Sequence, residues 1–376
     1  MAIYDVIVVG VGGMGSAACW QLARRGQRVL SLERFDIPHA FGSSHGETRI
    51  IRLAYFESPS YVPLLKRALT LWADASDAFG APLMITTGSL DSGRPDCVEI
   101  RGALESCQVH GLDHQVLSGA EVNRRYPGCR LPSGFESVFQ PDGGVILSER
   151  AIVAHVTMAI AAGAEIHGRE RVLDWSPIAG GGVRVTTDRG TYEAGRLVLS
   201  AGAWIGELLP NLSPVAVPER QVVGWFQPRN PEMFAPQAFP VHCLQDDGFY
   251  YLLPIQNIPG VKIGLYHHRH ESGPADTLSR EVNREDESVL RHCLGRHFPN
   301  VDGPVLTLRT CIFTNTPDGH FIVDTLPAQP EVVVVSACSG HGYKFASVVG
   351  EIVADLATTG HDRLDVSMFG LSRFEA

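Results

Sequence analysis

The chain has 376 residues, a net charge of −10 and eight cysteines. That length allows two domains with ample core, and the acidic balance speaks against nucleic acid as the main partner. No apolar run is long enough to span a bilayer, no secretory signal precedes the first strand, and no C-x-x-C pair marks a zinc site or disulfide framework. A reducing cytoplasm is therefore the expected location.

The chain is organised around YDVIVVGVGGMGSAACWQLARRGQRVLSLER, residues 4–34. Residues 5–9 are β-branched enough for a strand buried on both faces of a parallel sheet. Gly10, Gly12 and Gly15 follow at G-x-G-x-x-G spacing, and Ala17, Ala18, Leu22 and Ala23 carry the chain into a helix. A second strand, 28–32, ends in Glu33, about twenty residues on, where a dinucleotide-binding unit places an acid for a ribose hydroxyl. The glycines permit a tight turn, close approach to a diphosphate and helix–strand packing, while the helix N-terminus favours the anion. This motif does not separate FAD from NAD, which share an ADP half.

Residues 35–55 read as a loop containing Gly42, Ser43 and Ser44, then a short element from about Glu47. Arg49 and Arg52 would share one face of a helical turn there. Their neighbours Ile50, Ile51 and Leu53 suggest burial, and buried guanidinium groups need anionic partners. Amphipathic helices are expected over 61–75, with Leu64, Leu65, Leu69 and Leu71 apolar, and over 96–110, with Val98, Ile100, Leu104 and Val109 inward. Residues 129–145 are rich in Pro and Gly and read as a connection. A helix over 148–163 leads into strands at 165–175, 182–187 and 196–200, a meander assigned back to the first domain. Ala201 and Gly202 would let the backbone pass close to a dinucleotide.

Strands at 217–226, 248–253 and 261–268 should form the floor of a second, substrate-facing domain. The helix over 280–296 is expected to carry its charges on a solvated face. A last apolar strand, 332–336, ends in CSGHGYKF, with a helix over 343–358. A second glycine-rich turn so far from the first suggests an extended ligand gripped at both ends, which suits FAD better than NAD.

GVGGMG, GSSHGETRIIR (42–52), KIG (262–264), TCIFTNTPDGHFIVD (310–324), SGHGYKFASVVGE (339–351) and FGLSRF (369–374) together resemble the monomeric sarcosine oxidase and N-methyltryptophan oxidase family of FAD-dependent amine oxidases. The resemblance spans the chain. It implies an FAD joined through its 8α carbon to Cys311 as a thioether, Lys262 near the ring carbon that reduces oxygen, and Arg49 and His45 against the flavin. It also implies Arg52 and Lys344 as the grip on a substrate carboxylate and Tyr251 as a pocket residue. Two positions depart from the family pattern. Phe313 stands where sarcosine-oxidising members have a tyrosine, and Tyr266, followed by His267 and His268, stands where the family has a histidine. Both change the polarity of the substrate face.

The expected architecture is a two-domain α/β (α+β) chain, with a Rossmann-like FAD-binding domain (1–80, 146–212, 320–376) interleaved with a mainly antiparallel substrate domain (81–145, 213–319). Expected cofactor contacts are Gly10, Gly12, Gly15, Glu33, Arg34, Ser44, Ala201, Gly202, Cys311, Gly340, Gly342 and Lys344, with no metal. The expected reaction takes a secondary amine, an N-methyl or related N-substituted amino acid, to an imine while O2 becomes H2O2. No Ser/His/Asp set suggests hydrolysis. Alternatives are a cyclic imino acid, D-amino acid or glycated amine as substrate, or a dehydrogenase with another electron acceptor. The expected partners are the small amine and O2, with no nucleic acid or membrane, and the chain is expected to be a monomer.

Overall fold

The computed structural model describes residues 4–374. Two eight-stranded sheets and a small three-stranded sheet carry the fold. In the first sheet Gln329–Ser336, Thr191–Leu199, Tyr4–Val9, Val29–Leu32 and Glu165–His167 run parallel in that order. The alternation of the first strand serves two cores, as its unbroken apolar sequence requires. Val6 and Val8 pack under the helices Gly13–Ala23, Ser148–Ala161, Val62–Phe79 and Ala346–Thr359, whereas Ile7 and Val9 face Val183, Val185 and Leu199 on the other side.

The expected strand over 165–175 is two strands. Glu165–His167 pairs with Val29–Leu32 at one edge, and Val172–Pro177 opens the antiparallel meander with Val183–Thr187 and Thr191–Leu199. Between them Arg169 takes a left-handed φ of 57°. The buried Glu170 accepts from the Thr187 hydroxyl at 2.7 Å, which fastens the break.

The second sheet runs Val305–Asn315, Val217–Phe226, Val261–Leu265, Phe249–Leu253, Val241–Gln245, Ser89–Gly93, Glu136–Gln140, Gln115–Ser118. All pairs are antiparallel except Val241–Gln245 with Ser89–Gly93. Residues 129–145 are thus more than a connection. They contribute Glu136–Gln140 and the start of Gly144–Leu147, whose pairing partners lie far away in sequence. Gly144–Leu147 is the centre of the three-stranded sheet, between Thr48–Ile51 and Met84–Thr86.

Arg49 therefore lies on a strand, not a helical turn, and Arg52 follows its end. The helix Val98–His110 buries Ile100, Ala103 and Cys107 and leaves Val98 and Val109 70% and 62% exposed. Its inward stripe follows i, i+3, i+7, and the two valines fall off it. The helix Arg284–His297 does not leave all its charges solvated. Asp286 is fully buried and pairs with Arg220 at 2.7 and 2.9 Å and with His268 Nε2 at 3.1 Å. Among the described residues no helix is long and apolar enough to cross a membrane, and all eight cysteines are free thiols.

Candidate active site

One long cavity connects the first glycine turn with the floor of the second sheet. Its first end is set by backbone geometry. Gly10 has φ 88°, and a Cβ there would lie 2.5 Å from the Ser200 carbonyl oxygen, so no other residue fits without moving that strand. Gly15 does not line the cavity. It lets the helix approach, since a Cβ on it would meet the Gly10 carbonyl at 1.8 Å. The Gly13–Ala23 helix begins at Gly12 with no side-chain cap, which leaves first-turn N–H groups for an anion. Gly13 N–H donates to Ser44 Oγ at 3.0 Å.

Glu33, buried, accepts from Val11 N–H at 2.8 Å and Phe35 N–H at 3.0 Å. Burial holds its carboxyl above the usual range, with those backbone donors opposing. Arg34, Ala201 and Gly202 line the same end, and Arg34 also pairs with Asp276 at 2.8 Å. Among the described residues Arg34 Nη1 and Ser43 Oγ are buried without a hydrogen-bond partner. Orphaned donors beside a cradle that a Cβ would fill suit a polar, extended ligand such as an adenine dinucleotide.

Midway along the cavity stand Ser43, Arg49, Lys262, Cys311 and Tyr343. Two strands of the second sheet, one on each side of Val217–Phe226, present Lys262 and Cys311. Facing them is the turn Gly46–Glu47, both left-handed at φ 104° and 69°. Glu149, missed from sequence, fastens that turn by accepting from Gly46 N–H at 2.7 Å and Glu47 N–H at 3.0 Å. The turn then aims carbonyls inward. Lys262 Nζ donates to Gly46 O at 2.9 Å and Thr48 O at 2.6 Å. Arg49 donates to the carbonyls of Thr48 and Ser43, at 2.8 and 2.7 Å, and to that of His45.

Neither cation forms an ion pair among the described residues, so this part of the cavity is arranged for negative charge. Lys262 is 2% exposed, and burial first, Arg49 second, hold its ammonium well below the usual lysine range. Cys311 Sγ lies 3.6 Å from both Arg49 Nη2 and Ser43 O. His45 departs from expectation. It lines a neighbouring cavity with His39, Glu149 and Arg280, and burial, then Arg49, bring its imidazole down to about 3, so it is neutral at pH 7.

The far end holds Arg52, Lys344, Tyr251, Tyr266 and Phe313 with Phe56 and Phe249. Arg52, 3% exposed, is sandwiched between the Tyr55 and Phe56 rings, its carbon 4.5 Å from each centroid. Its Nη2 donates to both Glu57 oxygens at 2.7 and 2.8 Å, and its Nε lies 3.8 Å from Asp91. Burial lifts the Asp91 carboxyl to about 6 against the pull of Arg52, and among the described residues neither oxygen has a hydrogen-bond partner. Lys344 Nζ donates to His341 O at 2.6 Å. Burial and then Arg52 pull its ammonium down to about 7.

The anionic partners that buried arginine requires are thus present for Arg52 as Glu57 and Asp91. No local sequence pattern marked either residue, because an acid in a loop or strand ordinarily reads as surface. The two departing positions form one wall. The Tyr266 and Phe313 rings lie 5.5 Å apart, and Tyr266 OH donates to Ser339 O at 2.7 Å. Gly340, at φ 73°, gives them room, because a Cβ there would meet Tyr266 at 2.2 Å and Phe313 at 2.7 Å. Gly342 and Lys344 complete the turn above the cavity.

Residues 5–356 match the family described as FAD dependent oxidoreductase. The chain is 39% identical to the monomeric sarcosine oxidase of Streptomyces avermitilis over 99% of this chain and 98% of the relative. It is 36% identical to the N-methyl-L-tryptophan oxidase of Yersinia pestis over 99% of each. Among solved structures, NikD, described as an unusual amino acid oxidase essential for nikkomycin biosynthesis, superposes with a TM-score of 0.84 at 29% identity, covering 98% of this chain and 97% of NikD.

Proposed function

The chain belongs to the FAD dependent oxidoreductases, and from that premise we propose that it oxidises the secondary amine of an N-methyl or related N-substituted amino acid. The product is an imine, which water cleaves to an aldehyde and a primary amine, and O2 is converted to hydrogen peroxide. The observation that carries this reading is a single cavity with a dinucleotide cradle at one end and the two buried cations Arg52 and Lys344 at the other. When bound, FAD supplies the acceptor for a hydride equivalent from the carbon beside nitrogen and the route of those electrons to O2.

The protein's part is to bind, orient and tune. Gly10, Gly12, Glu33, Arg34, Ser44, Ala201 and Gly202 would hold the ADP half, with Gly15 setting the helix against them. Cys311, Arg49, Gly340, Gly342 and Lys344 would surround the ring, and the Cys311 sulfur would hold it as an 8α thioether. The substrate carboxylate would rest on Lys344 and share Arg52 with Glu57. Tyr251, Tyr266 and Phe313 would shape the space for the substituents. The same two cations disfavour an ammonium nearby, so the amine is held as the neutral base and needs no side-chain base.

The assignment of 1–80, 146–212 and 320–376 to cofactor binding and of 81–145 and 213–319 to substrate belongs to this proposal. Membership of strands 89–140 and 217–315 in one sheet supports it. A cytoplasmic monomer is the matching assembly.

The test is acid precipitation of the purified yellow protein with its visible spectrum, alongside a peroxide assay across N-methyl and cyclic amino acids. Colour is expected to stay with the precipitate and to move to the supernatant in Cys311→Ala. Release of all colour from the parent protein would remove the thioether. Absence of peroxide with every amine would remove the oxidase.

Lys344 makes the binding of a simple carboxylate pH-dependent. Propionate, titrated against the flavin spectrum, is expected to bind more weakly as pH rises through about 7, where Lys344 loses its proton. The slope approaches about tenfold per pH unit above that point and vanishes in Lys344→Met. A flat profile in the parent protein would show that Lys344 carries no titrating charge to the carboxylate.

A further inference from the structure

We propose that Glu219, His267 and His270 form a binding site for a divalent transition metal of the zinc type at the outer edge of the Tyr266–Phe313 wall. One ligand atom from each residue lies within 4.8 Å of the others. The set contains no thiolate, so the cysteine spacing did not bear on it.

Each ligand is placed by something other than the metal. Glu219 lies on the strand Val217–Phe226 opposite Phe313, and it is only 4% exposed. Its oxygens are oriented by Gln221 Nε2 at 2.8 Å and Asn315 Nδ2 at 2.7 Å, the kind of outer hydrogen bonding that steadies a carboxylate ligand. His267 Nδ1 stands 2.9 Å from Glu219 Oε2. His267 and His270 both take left-handed backbone, φ 58° and 56°, and their rings stack at 5.5 Å with 16° between planes. The turn that carries them is laced to the Glu219 strand by Arg220 N–H to Glu271 O at 2.8 Å and Gly273 N–H to Pro218 O at 3.1 Å.

An ion pair between His267 and Glu219 accounts for two of these groups and leaves His270 without a reason to stand beside them. A metal accounts for all three. Two imidazoles and a carboxylate suit zinc and its neighbours, and three protein ligands leave a position for water. The half-exposed His267 and exposed His270 give entry from solvent. The His267 ring lies 4.2 Å from that of Tyr266, so a metal there would fasten the turn bearing Tyr266 to the strand opposite Phe313.

The test is calorimetric titration of untagged, FAD-loaded protein with Zn2+, with Co2+ absorption as the spectroscopic probe. One equivalent per chain is expected, with a cobalt band in the visible. Affinity should fall at least about tenfold in His270→Ala and in Glu219→Gln. His270 is exposed, so its variant is expected to fold, and an unchanged melting temperature without metal checks that. No stoichiometric uptake, or equal affinity in His270→Ala, would overturn the site.

Discussion

Replacing Lys262 with methionine is expected to slow reoxidation of the reduced protein by air about 10²–10³-fold. Reduction by substrate under nitrogen should change far less. The reason lies in what Lys262 touches. Its ammonium is buried and, among the described residues, donates only to the carbonyls of Gly46 and Thr48, with no carboxylate in hydrogen-bond reach. Burial makes that charge costly at rest. An anion developing beside it, as when O2 takes its first electron, favours the charged form at the moment it is useful.

Methionine keeps the packing against Trp225, whose ring lies 5.4 Å from Nζ, and removes the charge alone. Stopped-flow mixing of the reduced protein with air-saturated buffer reads the step directly. Equal rates in parent and variant would remove Lys262 from the oxygen step and favour an electron acceptor other than O2.

Replacing Arg52 with glutamine is expected to lower kcat/KM about 10²–10³-fold, chiefly through KM. Removing one partner of a buried ion pair costs about 3–5 kcal/mol, because the charge left behind stays desolvated. Here Arg52 faces Glu57 directly and Asp91 at 3.8 Å. Burial alone would raise the Glu57 carboxyl, and Arg52, with His341 and Lys344 adding to it, outweighs burial and holds the group below its usual range.

The single variant therefore both loses a carboxylate ligand and strands an acid, so stability and binding fall together. Arg52→Gln combined with Glu57→Gln separates them. The double variant should regain most of the melting temperature while kcat/KM stays low. Recovery of kcat/KM in the double variant would show that Arg52 serves to neutralise Glu57 and not to hold substrate.

Much of this site was legible before any coordinates. A glycine spacing after a β-branched run states a backbone requirement, and a backbone requirement is local. Gly10, Gly15 and Glu33 therefore stand where the spacing put them, and the second turn at 339–345 closes the same cavity. The strands expected at 217–226 and 261–268 are readable for the same reason, since alternation and β-branching act within a few residues, although the second ends at Leu265 and His267 already turns left-handed.

What failed was non-local. Residues 129–145 looked like a connection because their strand partners are Ser89–Gly93 and Thr48–Ile51, far away along the chain. Arg49 was given a helical face because nothing beside it announces a three-stranded sheet. Asp286 was read as solvated because its partner, Arg220, comes from a strand 66 residues earlier.

The sequence by itself determined the glycine turns, the positions of the main strands along the chain and the identity of the cations. The tertiary structure decided how those cations are used. It assigned Glu57 and Asp91 to Arg52, left Lys262 with carbonyls and Arg49 with carbonyls and the Cys311 sulfur among the described residues, and turned His45 into a second cavity. The physical reason is that glycine turns and strand periodicity are paid for within a few residues, whereas the charge state of a buried group depends on every dipole and charge that folding brings around it.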